Sequence, residues 1–141
     1  MQPVQLRRTR GSALELGAPT YARRPCRPGA AVLVRDARGR FSIAVERLGG
    51  DSAVLRLGGE LDLAAVPALD GALRRTERWS VTSLLVDTAE VGFLDLASIT
   101  RLTRAHQRMA AQGGGVLVVH PPACLLRVLE LLDEVELPVL R

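Results

Sequence analysis

The chain contains no lysine, and all nineteen of its basic residues are arginine. That absence points to a GC-rich coding bias more than to a chemical demand. Aromatic residues are scarce, with two Phe, one Tyr and one Trp. A core must therefore be assembled mostly from Leu, Val and Ala. The two cysteines, Cys26 and Cys124, fit no disulfide framework and no metal-ligand spacing, so a reduced, cytoplasmic setting is expected. Two isolated histidines, His106 and His120, make no metal site, and no cofactor is expected. No apolar run approaches the ~20 residues of a membrane span. The N-terminus also lacks the apolar centre of a signal peptide, so no membrane association is expected.

Charge is unevenly placed. Residues 1–40 hold nine arginines against Glu15 and Asp36, whereas residues 41–141 hold ten arginines against thirteen acids. The basic balance thus comes from the front of the chain. Four prolines and four glycines fall in the same forty residues, and their one apolar cluster, Ala30–Val34, is too short to form a core by itself. Residues 1–40 read as a disordered basic arm and residues 41–141 as one folded domain. Such an arm attaches to nucleic acid or to an acidic protein face by charge alone, or is simply a solvated tail. It lacks the interleaved aromatics that stack bases.

From Phe41 the pattern becomes regular. Phe41, Ile43 and Val45 alternate with polar or small residues, Gly49-Gly50-Asp51-Ser52 is a turn, and Val54, Leu55 and Leu57 supply a hairpin partner. Gly58-Gly59 marks a bulge or a close backbone approach. A helix follows with Val66, Leu69, Leu73 and Thr76 on one face. Pro67 requires its start to lie near Ala64 or Ala65, with Asp62 close by. Val81–Val86 is a third strand, and Asp87-Thr88-Ala89-Glu90 is a loop.

The central stretch is Val91–Arg108. Apolar residues recur at a sheet edge at Val91, Phe93 and Leu94, and beyond Asp95 the period changes. Leu96, Ile99, Leu102, His106 and Met109 follow helical spacing on one face, with Arg101, Arg104 and Arg108 on the other. Asp95 is the expected N-cap, since its carboxylate can accept from free N–H groups of the first turn. Gly113-Gly114-Gly115 stops this helix, and Val116–Val119 is a buried strand. After His120-Pro121-Pro122, with Pro122 at the first helical position, comes a helix with Leu125, Leu126, Leu129 and Leu132 inward. Leu137–Leu140 is a last strand. The expected fold is α/β, a mixed sheet with packed amphipathic helices in the order β-β-α-β-α-β-α-β.

Gly59-Glu60-Leu61-Asp62, the Leu84–Asp87 strand, Phe93-Leu94-Asp95 with its helix, and Gly113–Val119 together resemble the STAS domain of bacterial anti-sigma-factor antagonists over residues 41–141. The resemblance implies a non-enzymatic module that binds an anti-sigma factor of the serine-kinase type and thereby regulates sigma-factor-dependent transcription. In that family the strand–helix junction reads Asp-Ser-Ser-Gly, with the second serine as phosphate acceptor. Here those places are Asp95, Leu96, Ala97 and Ser98. Ala97 has no hydroxyl, so the usual switch is not expected. Ser98 is the one nearby substitute, and its alternative role is a small residue packed into the first turn.

The partner-binding residues implied are Asp62, Asp95, Leu96, Ala97, Ser98 and Arg101. Two other readings remain: a ligand-sensing (nucleotide or lipid) or scaffold STAS module, and nucleic-acid attachment through the arm. The oligomeric state is left open. Cys124, beside His120 in sequence, suggests a thiol nucleophile, yet the place six residues on that a phosphatase-like loop gives to arginine is Glu130. A half-buried packing cysteine is the simpler reading. Glu60 and Asp62 are paired carboxylates with ordinary solvated or capping explanations.

Overall fold

The computed structural model describes residues 31–141. Six strands, β1 (Ala31–Arg35), β2 (Phe41–Gly49), β3 (Ser52–Leu61), β4 (Ser83–Leu94), β5 (Gly115–Val119) and β6 (Val139–Leu140), form one sheet in sequence order. β1, β2 and β3 pair antiparallel, and β3 through β6 pair parallel. The parallel steps are bridged by α1 (Val66–Arg78), α2 (Leu96–Ala110) and α3 (Ala123–Leu131). Each crossover moves over by one strand in the same direction, which stacks the helices on one face. The main core reflects this, joining Leu69, Leu73, Ile99, Leu102, Met109 and Leu125 of the helices to alternate residues of β2 to β5. The residues between them on the strands, Val54, Leu85 and Val119, form a small second cluster with Leu48 and Leu117. This period-two split is what a mixed sheet with one helix-covered face requires.

The sheet begins earlier than Phe41. Ala31–Arg35 pairs with β2 from Ala31 opposite Glu46 to Arg35 opposite Ser42. An edge strand needs only one hydrogen-bonded neighbour, and Val32 packs against the main core while Leu33 points to solvent, so this apolar cluster suffices. The element order is therefore β-β-β-α-β-α-β-α-β, and residues 31–40 belong to the folded part. The remainder of the expected arm, residues 1–30, lies outside the described residues.

The expected loop Asp87–Glu90 is also strand. β5 stops alongside Asp87, but β4 runs on to Leu94 against β3 alone. With a neighbour on one side only, this overhang tolerates polar side chains. Its register shifts twice, opposite Gly58 and Gly59. Gly59 has φ +82°, and a Cβ there would collide with the Arg40 carbonyl. The expected bulge and close approach thus occur together.

The rest of the chain follows with small adjustments. A 3-10 turn, Leu63–Ala65, precedes α1, and Pro67 sits in its first turn as required. Pro122 is the N-cap of α3 instead of its first residue, and Leu132 lies just past the helix end in an extended conformation. The last strand is shortened to Val139–Leu140. α1 and α2 are tied by two ion pairs, Asp70 to Arg101 at 3.0 Å and Glu77 to Arg108 at 2.7 Å. Both partners advance by two turns from one pair to the next, as helices running parallel must.

Candidate functional site

Two Leu-Asp steps lie side by side at the C-terminal rim of the parallel strands. Leu61 of β3 pairs with Leu94 of β4, both are buried, and each is followed by an aspartate that turns the chain into a helix. Asp95, extended at φ −82° and ψ 172°, accepts from the Ser98 N–H at 2.9 Å and is the N-cap of α2. Asp62 accepts from the Ala64 N–H at 3.0 Å and caps the 3-10 turn. The Asp95 N–H donates to the Leu61 carbonyl at 3.0 Å, and the Ser98 hydroxyl stands 3.5 Å from that same oxygen. β3, β4 and α2 are thereby joined at one backbone atom.

Ser98 is fully buried, 0% exposed, while Ala97 is half-buried beside it. Leu96 departs from its expected place on the inward helix face and is 51% exposed. It is the first residue of α2, at the rim of the sheet where β4 ends. Leu63 at 66% and Phe93 at 43% are likewise exposed at this rim. Arg101 does not join them, because its guanidinium is turned toward Asp70 of α1. The rim is therefore a mixed surface of Leu63, Phe93 and Leu96 with the carboxylates of Asp62, Asp95 and Glu60. In the sequence Phe93 reads only as a sheet-edge residue, and Leu63 carries no signal. The repeated Leu-Asp step before two helical turns was the available clue.

Two carboxylates on the overhang extend this surface. The Glu60 carboxylate lies over Gly92, 2.8 Å from where a Cβ would stand, and Glu90 lies beside Gly58. Neither has a basic side chain within ion-pair distance among the described residues. Asp62 has Arg40 at 3.7 Å. Arg40 also donates to Asp36 at 3.0 Å, and that hydrogen bond holds the Asp36 carboxyl below its usual range. The Arg40 guanidinium is shifted up, first by Asp36 and then by the charge of Asp62.

Elsewhere the polar groups serve the fold. Thr88 is buried and its hydroxyl donates toward the Val119 and His120 carbonyls at 3.1 and 2.9 Å, closing the end of β5. His120 Nδ1 lies 3.4 Å from Asp87, which also accepts from the Ala89 N–H. His106 Nδ1 accepts from the Val116 N–H at 3.0 Å, which makes it a packing residue of α2. The Cys124 thiol faces the Leu94 carbonyl at 3.8 Å. A cavity of about 290 Å³ opens at the opposite end of the sheet, lined by Ser52, Ser83, Leu84, His106, Val116 and Pro138 among others. Among the described residues no three His, Cys, Asp or Glu side chains are grouped to hold a metal ion, and no helix is long and apolar enough to cross a membrane.

A family model described as "Mlab, STAS domain" matches residues 44–137. No curated protein matches the chain. Among solved structures, the fold is similar to the anti-sigma factor antagonist SpoIIAA in its unphosphorylated form, with a TM-score of 0.59 and 18% identity over 70% of this chain and 87% of that one. The Bacillus cell fate determinant SpoIIAA in its phosphorylated form gives 0.56 and 20% identity over 63% and 81%. An anti-sigma factor antagonist from Mycobacterium paratuberculosis gives 0.55 and 23% identity over 82% and 89%. At these identities the likeness shows the fold.

Proposed function

The chain belongs to the STAS domain family, and on that premise we propose that it is a non-enzymatic anti-sigma factor antagonist whose β4–α2 rim docks a kinase-type anti-sigma factor in the cytoplasm. The observation that carries this reading is the exposure of Leu63, Phe93 and Leu96 around the capped aspartates. Large apolar side chains brought together on a rigid, acid-rimmed edge are what an interface centre offers, and the surrounding carboxylates favour a basic partner patch. Solved relatives bear the name anti-sigma factor antagonist, and one was captured in unphosphorylated and phosphorylated forms.

In this chain the same junction would act without a phosphate switch. Ala97 cannot accept a phosphoryl group, and the buried Ser98 hydroxyl would have to leave the first turn of α2 to meet a kinase. A phosphate carries a charge of about −2. Placing it there would require opening the packing between β3 and α2. Docking would then be governed by concentration and competition.

The test is a binding titration of the kinase-type anti-sigma factors encoded in the same genome against the wild-type chain, Leu96→Glu and Phe93→Ser. Both substitutions lie at exposed positions, so circular dichroism should be unchanged while affinity falls at least tenfold. Equal binding by all three proteins would exclude the rim as the docking face. Mass spectrometry after incubation with kinase and ATP should find no phosphate at Ser98. Stoichiometric phosphoserine at that position would restore the switch.

A further inference from the structure

We propose that the cavity at the N-terminal ends of β3, β4 and β5 binds a small, neutral, ring-sized molecule with an apolar body and one oxygen acceptor. The cavity is reached by His106 near the end of α2, whereas the rim lies at that helix's start. The proposal therefore goes beyond the docking reading, which can fail without affecting it.

Strand register builds the recess. Ser52 pairs with Ser83, and Ser83 with Gly115, so three adjacent strands carry small residues in one row at their starts. Two residues further along, where a strand returns to the same face, stand the bulkier Leu85 and Leu117. Both rows line the cavity, whose volume is about 290 Å³. Gly115 is held to its size: at φ +152° an added Cβ would stand 3.0 Å from His106 Cε1 and 3.1 Å from Nδ1. The imidazole therefore lies directly against the glycine backbone.

The lining chemistry defines the ligand. His106 Nδ1 accepts from the Val116 N–H at 3.0 Å, which puts the proton of the neutral ring on Nε2. That Nε2–H, like the hydroxyls of Ser52 and Ser83, has no hydrogen-bond partner among the described residues. An oxygen acceptor on the ligand would satisfy it. No Arg, Asp or Glu lines the cavity, so a phosphate or a carboxylate would enter without a counter-charge. Nucleotides and free acids are thereby disfavoured. The volume is about twice the roughly 150 Å³ of an apolar cavity that accepts benzene, which suits one or two rings. An apolar wall with a few convergent polar groups is the usual make-up of a small-molecule site.

Coumarin, two fused rings with a lactone carbonyl, is the probe, and NMR titration of the full chain is the test. The amides of Ser83, Gly115 and Val116 should shift and saturate with a Kd of about 1 mM or tighter, while those of Leu63 and Leu96 stay in place. The His106 Nε2 resonance should move on addition of coumarin, and Nδ1 should keep the shift of a hydrogen-bonded acceptor. Coumarin-3-carboxylate, which adds a negative charge to the same rings, should bind at least about fivefold more weakly. Ser83→Val fills the recess with a good strand former and should weaken coumarin by about tenfold.

Equal affinity for the two probes would overturn the neutral class of ligand. Unchanged coumarin binding by a Ser83→Val protein with native circular dichroism would overturn the site. Should that variant fail to fold, the wild-type spectra decide. Shifts gathered at the rim, no saturation by about 10 mM, or an imidazole that carries its proton on Nδ1 would each overturn the proposal. Saturable shifts confined to the cavity amides, with the His106 Nε2 response, would establish it whether or not an anti-sigma factor binds the rim.

Discussion

The Asp95 carboxylate is engaged by its own helix, since it accepts from Ser98 N–H and closes the first turn of α2. Asp95→Ala should lower unfolding free energy by about 0.5–2 kcal/mol, measured by urea denaturation, and Asp95→Asn should recover most of it. Any loss of partner binding in an Asp95 variant must be read against that cost, which is why Leu96 and Phe93 are the cleaner probes. Ser98→Asp should be far more damaging than Ser98→Ala, because the new charge would enter a fully buried site. A clear gap between their denaturation midpoints checks this. Gly59→Ala should cost on the order of 1–3 kcal/mol, as it combines a positive φ with contact against the Arg40 carbonyl.

Asp36 gives a pH dependence of known sign. Its pKa is lowered in the folded state by the hydrogen bond from Arg40. The unfolded chain therefore binds the proton more readily. The stabilisation is complete above the ordinary aspartate range, where the group is ionised in both states, and is lost as pH falls through the lowered folded value. Comparing wild type with Asp36→Asn, the difference in stability should be constant near neutrality and shrink below about pH 4. A difference that grew on acidification would contradict the assignment.

Which residues were legible in the sequence follows from the same chemistry. Asp95 could be recognised as a cap because the hydrophobic period changes at that residue. Leu96 shares the helical spacing of Ile99 and Leu102, but spacing does not say where the facing sheet ends. Exposure at Leu63 and Phe93 depends on the β3–β4 overhang, a tertiary feature that no local pattern contains.

At the level of elements, the strands and helices follow from periodicity wherever both neighbours impose burial. β2, β5 and α2 are such cases. The Asp87–Glu90 stretch of β4 reads as a loop because it is mostly polar: the Thr88 hydroxyl is buried against the Val119 and His120 carbonyls, a tertiary contact, and Ala89 and Glu90 are exposed on the overhang. β1 was hidden by the opposite problem: five residues in a stretch rich in Arg, Pro and Gly carry too little pattern to register without β2 beside them. The paired helices offer a quantitative test. Asp70–Arg101 is about one-third exposed, and a double-mutant cycle with Asp70→Asn and Arg101→Gln should give a coupling of about 0.2–1 kcal/mol. No measurable coupling at low salt would mean that this pair contributes nothing to holding α1 against α2.

At the level of the whole molecule, the fold is one helix-covered sheet whose first strand precedes the region expected to fold. A chain beginning at Phe41 should therefore melt below one beginning at Ala31, since it loses Val32 from the core and leaves the backbone groups of β2 unpaired along one side. Equal melting temperatures would show that β1 contributes nothing to the sheet. The net charge of +4 likewise divides within the molecule. Its positive excess lies in the first thirty residues, and the rest is nearly balanced, so a single isoelectric point misrepresents the surface a partner meets.

The Leu61 carbonyl, shared between the Asp95 amide and the Ser98 hydroxyl, fastens three elements at the place where a guest would arrive. A surface set in advance has little freedom left to surrender. Complex formation there should resemble key and lock, with a calorimetric signature dominated by dehydration of leucine and phenylalanine and little contribution from ordering of the host.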